Sequence, residues 1–418
     1  MARLIIEGGT PIAGELPVQG AKNSALPVLA ATILCGGPSV IHNCPGLLDV
    51  EASCRILQVL GCQVKRGGDT ISVDPGGFCR HEIPEDLMRE MRSSIVFLGA
   101  ICARVGRARI SFPGGCELGP RPIDLHLAAL HQLGVEIEED HGWLNCSCPH
   151  GLRGATVVLS FPSVGATENI LLAAVMAKGE TVIVNAAREP EISDLAGYLN
   201  RCGAHIRGAG ESIVRIRGVA SLAGCEYSVI PDRIVAATWM AAAAVTGGNV
   251  TLRRVNIAHL SPVLPIFTEA GCEIAAGGDT LSIRRAGPLR PMRCVRTMPY
   301  PGFPTDAQAP AMAMATVASG TSLFIENIFE NRYKHAAELI RMGARIKVEG
   351  RVAVVEGVPS LFGAAVEATD LRGGAALVVA GLAADGITEI RGLHHIDRGY
   401  EHIEENLRRL GAGIRRAE

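Results

Sequence analysis

A helix end, a glycine and a strand start recur six times along this chain, and no other feature limits the fold as much. The copies are Leu57-Gln-Val-Leu-Gly61-Cys-Gln-Val64, Leu130-His-Gln-Leu-Gly134-Val-Glu-Ile137 and Leu199-Asn-Arg-Cys-Gly203-Ala-His-Ile206. Phe267-Thr-Glu-Ala-Gly271-Cys-Glu-Ile274, Leu339-Ile-Arg-Met-Gly343-Ala-Arg-Ile346 and Leu407-Arg-Arg-Leu-Gly411-Ala-Gly-Ile414 complete the series. In each, an amphipathic helix meets a glycine suited to a left-handed C-cap, and a strand begins. The period is roughly 70 residues, so each copy is a supersecondary unit that must share its core with its neighbours.

Ala-rich helices precede alternating strands at Thr181–Asn185, Asn249–Arg253, Thr321–Glu326 and Ile387–Arg391. Period-two strands between apolar helices give an α/β unit of two helices and several strands. Only 4% of residues are aromatic while 48% are hydrophobic, so the cores are built from Ala, Val, Leu and Ile. At 418 residues, two domains are expected. Six units point to two pseudo-threefold domains with helices inside and sheets outside.

The net charge of −2 gives no global attraction to nucleic acid or anionic membranes, so anionic ligands need local clusters of Arg and Lys. The N-terminal stretch lacks the apolar core of a signal peptide, and the richest apolar run, Ala236–Val245, suits a buried helix. Thirteen scattered cysteines are expected to be reduced thiols in a cytoplasmic protein. Cys146-Ser-Cys148-Pro-His150 fits no standard zinc spacing, and no metal site is expected. The glycines are caps: neither a Walker sequence nor a dinucleotide fingerprint occurs.

Four segments place polar residues where an apolar repeat does not need them. Gly20-Ala-Lys22-Asn23 puts a lysine at a helix start, either as an anion site or as a solvated charge. Met91-Arg92-Ser-Ser94 opens an apolar helix running to Ala103, and an Arg there opposes the helix dipole unless a carboxylate or a ligand compensates. Pro113-Gly-Gly-Cys116 leads to Arg121-Pro122-Ile123-Asp124-Leu125-His126; Cys116 is either inert packing or a thiol made reactive in a glycine-rich, cationic loop. Phe303-Pro-Thr-Asp306 precedes another apolar helix, with Asp306 as N-cap or as an acid–base group. His126 and His131 read as packed or solvated helix residues.

With Ser163-Val164-Gly165-Ala-Thr167, Arg188-Glu-Pro-Glu-Ile192, Asn331-Arg332 and Asp397-Arg398-Gly-Tyr400, these motifs resemble, in order and over nearly the whole chain, the UDP-N-acetylglucosamine 1-carboxyvinyltransferases, a family of enolpyruvyl transferases. The resemblance implies two inside-out α/β domains of three units each, one spanning 22–230 and the other 1–21 plus 231–418, with the substrate cleft between them. It implies transfer of enolpyruvyl from phosphoenolpyruvate to the 3-hydroxyl of UDP-N-acetylglucosamine with release of phosphate, without cofactor or metal. Nucleic acid and membrane partners are not expected, and a monomer is favoured.

By resemblance, Lys22, Asn23, Arg121, Arg372 and Arg398 bind phosphoenolpyruvate. Arg92, Arg121, Pro122, Ile123, Asp124, Leu125, Ser163, Val164, Gly165, Asp306 and Ile328 bind the UDP-sugar. Cys116, Asp306, Lys22 and Arg398 are the catalytic set, with Asp306 as base and Cys116 as proton donor, adduct-forming nucleophile and fosfomycin target. Several cations are needed, since one pair at about 4 Å contributes only on the order of 4 kcal/mol before desolvation. Leu48 and Phe161 stand where many relatives carry lysine, which removes possible phosphate contacts. The rival acceptor is shikimate 3-phosphate, and phosphate release with each acceptor separates the two. A non-catalytic repeat protein predicts no activity to lose, and a cysteine hydrolase lacks a nearby histidine base.

Overall fold

The computed structural model describes residues 2–112 and 123–418, apart from the Arg92 side chain. The chain divides into two compact units, one holding the N-terminal residues to Gln19 together with Pro231–Glu418, the other lying between Gly20 and Ile230. Each unit has its own hydrophobic core.

All six repeat glycines adopt positive φ, between 92° and 107°. At Gly203 the amide donates to the Asn200 carbonyl (3.0 Å) and the next amide, of Ala204, donates to the Leu199 carbonyl (3.0 Å). This is a Schellman closure, in which two helix-end carbonyls are satisfied while the chain reverses into a strand. The same paired bonds follow the helices that end before Gly61, Gly134, Gly343 and Gly411.

Each repeat builds one four-stranded sheet. In one of them, Thr156–Val158 runs parallel to Glu180–Val184, which pairs antiparallel with Ile213–Arg217, itself antiparallel to His205–Arg207. Helix Val164–Ala174 makes the parallel crossover and helix Pro190–Arg201 leads to the capped glycine, giving a βαβαββ unit. The other five sheets have the same one-parallel, two-antiparallel pattern. Each unit closes on itself by strand exchange. Glu226–Ser228 joins the sheet of Ser39–His42, and Ala13–Pro17 joins the sheet of Asn249–Arg253.

The strands bury alternate residues, whereas the crossover helices are buried almost throughout. In the unit built largely from the C-terminal half, helices Arg233–Thr246, Gln308–Ala315 and Leu371–Ala383 pack on one another. Their small residues allow this close approach. In the other unit, a methyl on Gly99 would sit 2.4 Å from the Asn169 carbonyl oxygen, while the Gly99 amide donates to Asn169 Oδ1 at 2.7 Å. Helices therefore lie inside and sheets outside, as the repeat pattern indicates.

Three boundaries differ from expectation. The helix expected from Arg92 to Ala103 starts as a 3₁₀ segment, Arg92–Val96, and becomes α-helical only over Phe97–Val105, ending at left-handed Gly106. Asn185 leaves its strand with φ 61°, and Glu326 lies beyond the end of Thr321–Ile325. Among the described residues no helix is long and apolar enough to cross a membrane, and the twelve described cysteines are unbridged.

Helix Val164–Ala174 also buries Glu168. Burial first, then the neighbouring carboxylates Glu191 and Glu189, hold its pKa well above the ordinary value of 4.5. A raised folded-state pKa contributes stability that is complete below the unfolded value and is lost as pH rises through the folded one. Glu168→Gln should therefore raise the melting temperature, and by more at pH 8 than at pH 5. Equal gains at the two pH values in calorimetry would contradict this account.

Candidate active site

In the unit between Gly20 and Ile230, the chain enters helix Lys22–Ala31 through Gly20, whose missing side chain is required: a Cβ would lie 1.7 Å from the Asn43 carbonyl oxygen. Lys22 is the first helical residue and is buried, which removes the solvated-charge reading. Its Nζ donates to Asp49 Oδ2 at 2.8 Å. Asp49 occupies the first turn of helix Leu48–Val59, where the helix dipole favours a carboxylate, and it too is buried. Asn23 is exposed beside this pair in sequence.

Ser163 is the N-cap of helix Val164–Ala174, its Oγ accepting from the Ala166 amide (3.3 Å). Val164 and Gly165 form the first turn, and the His126 imidazole packs against Gly165 so closely that a Cβ there would meet its Cε1 at 2.9 Å. His126 Nδ1 accepts from Asn169 Nδ2 (2.8 Å), whose Oδ1 is already used by Gly99. This sets the imidazole proton on Nε2. His126 is thus a packed residue that joins helix Asp124–Gln132, with Ile123, Asp124 and Leu125 at its start, to the Ser163 turn. Cys116, Arg121 and Pro122 lie outside the described residues, and Arg92 is described in its backbone only. Leu48 and Phe161 are exposed apolar side chains.

In the other unit, Asp306 sits in a 3₁₀ turn, Thr305–Ala307, before helix Gln308–Ala315, and it does not cap that helix. Its carboxylate lies between two guanidinium groups. Arg332 Nη2 donates to Oδ1 at 2.7 Å, and Arg372 Nε and Nη2 donate to Oδ2 at 3.2 and 3.1 Å. The arginine side chains are each 3% exposed while that of Asp306 is 27% exposed, so the carboxylate is the open face of a buried cationic cluster. Arg372 lies in the first turn of helix Leu371–Ala383 and its Nη1 donates to the buried Tyr400 hydroxyl at 3.2 Å. Burial opposes the Arg372 charge, but Tyr400, Asp306 and Asp232 around it outweigh burial and hold its pKa above the ordinary arginine value.

The buried Glu326 organises this cluster from behind. Its Oε1 accepts from Thr297 Oγ1 and from the Ile328 and Phe329 amides, and its Oε2 accepts from Thr305 Oγ1, all within 3.1 Å. One carboxylate therefore ties the turn carrying Asp306 to the loop carrying Ile328. Arg398 follows helix Leu393–Ile396, in a turn held by Gln19: Gln19 Nε2 donates to the Gly399 carbonyl (3.2 Å) and Gln19 Oε1 accepts from the Glu401 amide (2.9 Å).

The structure thus joins Asp306 to Arg372, links Ile328 to them through Glu326, and sets Arg398 two residues from Tyr400. Asp49, Glu326 and Gln19 were missed as site residues, and Arg332 was noted only as part of a motif. Their sequence signals are slight: an Asp in a helix's first turn, a Glu just past a strand, a Gln before the Gly20 turn. Among the described residues no group of His, Cys, Asp and Glu is arranged to hold a metal ion.

Comparison with known proteins gives this architecture its class. The sequence profile described as EPSP synthase (3-phosphoshikimate 1-carboxyvinyltransferase) matches residues 6–407, and the chain belongs to this family of carboxyvinyl transferases. Within it, the chain is 53% identical to UDP-N-acetylglucosamine 1-carboxyvinyltransferase 1 of Symbiobacterium thermophilum, over 99% of this chain and 95% of that one. It is 52% identical to UDP-N-acetylglucosamine 1-carboxyvinyltransferase 2 of Caldanaerobacter subterraneus, over 99% of both. Among solved structures, the enolpyruvyl transferase NikO from Streptomyces tendae matches 100% of this chain and 99% of its own, with a TM-score of 0.91 and 28% identity.

Removing one partner of a buried ion pair strands the other charge and costs about 3–5 kcal/mol. Asp49→Asn should lower stability to urea, and adding Lys22→Met should recover part of the loss. Additive losses in the double variant would show that the 2.8 Å contact does not couple the two residues.

Proposed function

We propose that this protein transfers the carboxyvinyl group of phosphoenolpyruvate to the 3-hydroxyl of UDP-N-acetylglucosamine and releases phosphate, a step in peptidoglycan precursor synthesis. The carrying observation is near-full-length identity of about half to relatives that bear this activity in their names. The Asp306 cluster supplies the chemistry that supports it.

In the addition step, the sugar oxygen bonds to the second carbon of phosphoenolpyruvate and the methylene carbon gains a proton. In the elimination step, the methyl carbon gives up a proton, the carbon–oxygen bond to phosphate breaks, and the enol ether is restored. Asp306 accepts the hydroxyl proton. Arg332 donates to one oxygen of its carboxylate and Arg372 to the other, while the carboxylate stays partly exposed. Two fixed guanidinium groups also hold the carboxylate in one orientation, which is what general-base geometry requires.

Lys22, Arg121, Arg372 and Arg398, with Asn23, take the phosphate and carboxylate of phosphoenolpyruvate. Lys22 is desolvated, so its charge acts with little screening once an anion competes with Asp49 for it. Ser163, Val164 and Gly165, at the start of an eleven-residue helix, offer backbone amides to the diphosphate. Arg92, Ile123, Asp124, Leu125, Pro122 and Ile328 complete the nucleotide-sugar contacts, and Cys116 delivers the proton to the methylene carbon and takes the fosfomycin adduct. The protein acts in the cytoplasm.

A second reading has one observation in its favour: the matching family profile is described by the shikimate reaction. A phosphate-release assay decides between them. Phosphate should appear with UDP-N-acetylglucosamine and not with shikimate 3-phosphate, and the reverse pattern would overturn the acceptor assignment. Asp306→Asn should lower kcat by about 10²–10⁴-fold, the usual contribution of a positioned base, with the melting temperature nearly unchanged. Fosfomycin treatment followed by peptide mapping should modify Cys116; modification of another cysteine would remove Cys116 from the site.

A further inference from the structure

One buried carboxylate that the transfer chemistry does not use lies beside the Lys22 turn. Asp194 is 5% exposed and belongs to helix Pro190–Arg201, which packs on helix Lys22–Ala31. Its Oδ2 accepts from Ser24 Oγ and from the Ile230 amide (3.2 Å), and its Oδ1 accepts from the Tyr227 hydroxyl (2.7 Å). That hydroxyl also lies 3.0 Å from the Asp194 backbone carbonyl. Gly197 makes room for it, since a Cβ there would come within 2.8 Å of the hydroxyl oxygen.

These contacts close on both sides of Lys22 and Asn23. On the C-terminal side, the fully buried Ser24 is bound to Asp194 directly. On the N-terminal side, the Ala21 amide donates to the Ile230 carbonyl at 2.8 Å, and the amide of the same Ile230 is bound to Asp194. The Ala21 carbonyl in turn accepts from the Ser24 and Ala25 amides at 3.1 and 2.9 Å. One carboxylate oxygen therefore fixes both ends of the segment Ala21–Ser24. The helix has no side-chain cap of its own, so the hold on its first turn comes from a neighbouring helix. The far end of the Lys22 side chain is held by Asp49.

Packing alone does not call for a carboxylate here. Its three donors are neutral, and a buried charge loses hydration that neutral donors only partly replace. Burial is foremost in raising the Asp194 pKa above the ordinary 3.8; the bonds from Ser24, Tyr227 and Ile230 oppose that rise, and Glu191 adds to it. What the carboxylate contributes is acceptor capacity on both oxygens, enough for donors from two separate segments of chain.

We propose that Asp194 is a positioning residue for Lys22: by holding Ser24 and Ile230 on one oxygen, it sets the backbone from which the Lys22 ammonium meets an anion. The consequence for turnover rests on the reading of Lys22 as a phosphoenolpyruvate ligand. The clamp itself does not.

Amide hydrogen exchange in the ligand-free, full-length protein tests the clamp. Asp194→Ala should speed exchange at the Ala21 and Ile230 amides by about 10-fold or more, through local opening of this turn. Asp194→Asn should speed it far less. It keeps one oxygen for Ser24 and Ile230 and can turn its NH₂ to the Tyr227 hydroxyl oxygen, whose proton then goes to the backbone carbonyl of residue 194. Wild-type exchange in Asp194→Ala, or equal exchange in the two variants, overturns the clamp. In steady-state kinetics, Asp194→Ala should lower kcat/KM for phosphoenolpyruvate by about 100-fold, the scale of a small misplacement of a reacting group, with KM for UDP-N-acetylglucosamine changed by less than about 3-fold. Asp194→Asn should recover most of that loss. Unchanged kinetics, or equal losses for both substrates, refute the positioning role. Where Asp194→Ala does not fold, Ser24→Ala removes one hydroxyl from the same clamp and should move both readouts in the same direction; wild-type values in it overturn the proposal. If the wild-type protein releases no phosphate from phosphoenolpyruvate with UDP-N-acetylglucosamine, the functional reading fails, and hydrogen exchange still decides the clamp.

Discussion

A helix that must reverse directly into a strand needs a residue with positive φ, and six such reversals shape this molecule. A left-handed turn at any residue with a Cβ costs roughly 1–2 kcal/mol, and glycine removes that cost. With Gly61, Gly134, Gly203, Gly271, Gly343 and Gly411 in place, each outer helix ends within one turn and hands the chain to an antiparallel hairpin. The C-terminal ends of those helices are thereby closed by the backbone itself. The residues proposed to bind substrate lie elsewhere, several of them at the N-terminal ends of the buried crossover helices.

That placement suits anionic ligands electrostatically. Lys22, Ser163, Asp306 and Arg372 all sit within a turn of a helix start, where unpaired amides and the helix dipole favour negative charge. A cation at such a position is unfavourable by itself. Each cation described here has a carboxylate to offset it: Asp49 for Lys22, Asp306 for Arg372 and Arg332.

The repeat period, the two-core architecture and the capping glycines were legible in the chain, because each rests on residues close in sequence. The ion pairs were not. Lys22 and Asp49 are 27 residues apart, Asp306 and Arg372 are 66 apart, and Gln19 reaches residues 380 and 382 positions away. No local pattern could decide whether Asp306 capped its helix or faced a distant cation. Glu326 shows the limit most clearly. A glutamate after an alternating strand is an ordinary surface residue in sequence, yet here it is buried and accepts four hydrogen bonds. The family resemblance supplied the expected roles that local chemistry left open, but it did not name Glu326.

The six crossover helices start in two ways. Three start with a side-chain cap: Ser163, Asp232 and Asp370 each accept from amides of their own helix. The other three, entered at Lys22, Arg92 and Asp306, have no side-chain cap. Forgoing a cap costs about 1 kcal/mol per helix, so its loss at three of six equivalent positions in one repeat series asks for compensation. At Asp306 the compensation is visible. The carboxylate that would cap its own helix instead takes three charge-assisted bonds from two arginines. At Lys22 no side chain caps the helix start, and the buried ammonium is paired with the Asp49 carboxylate. The uncapped starts thus give up local stability at Lys22, Arg92 and Asp306, three of the residues proposed to act in the transfer.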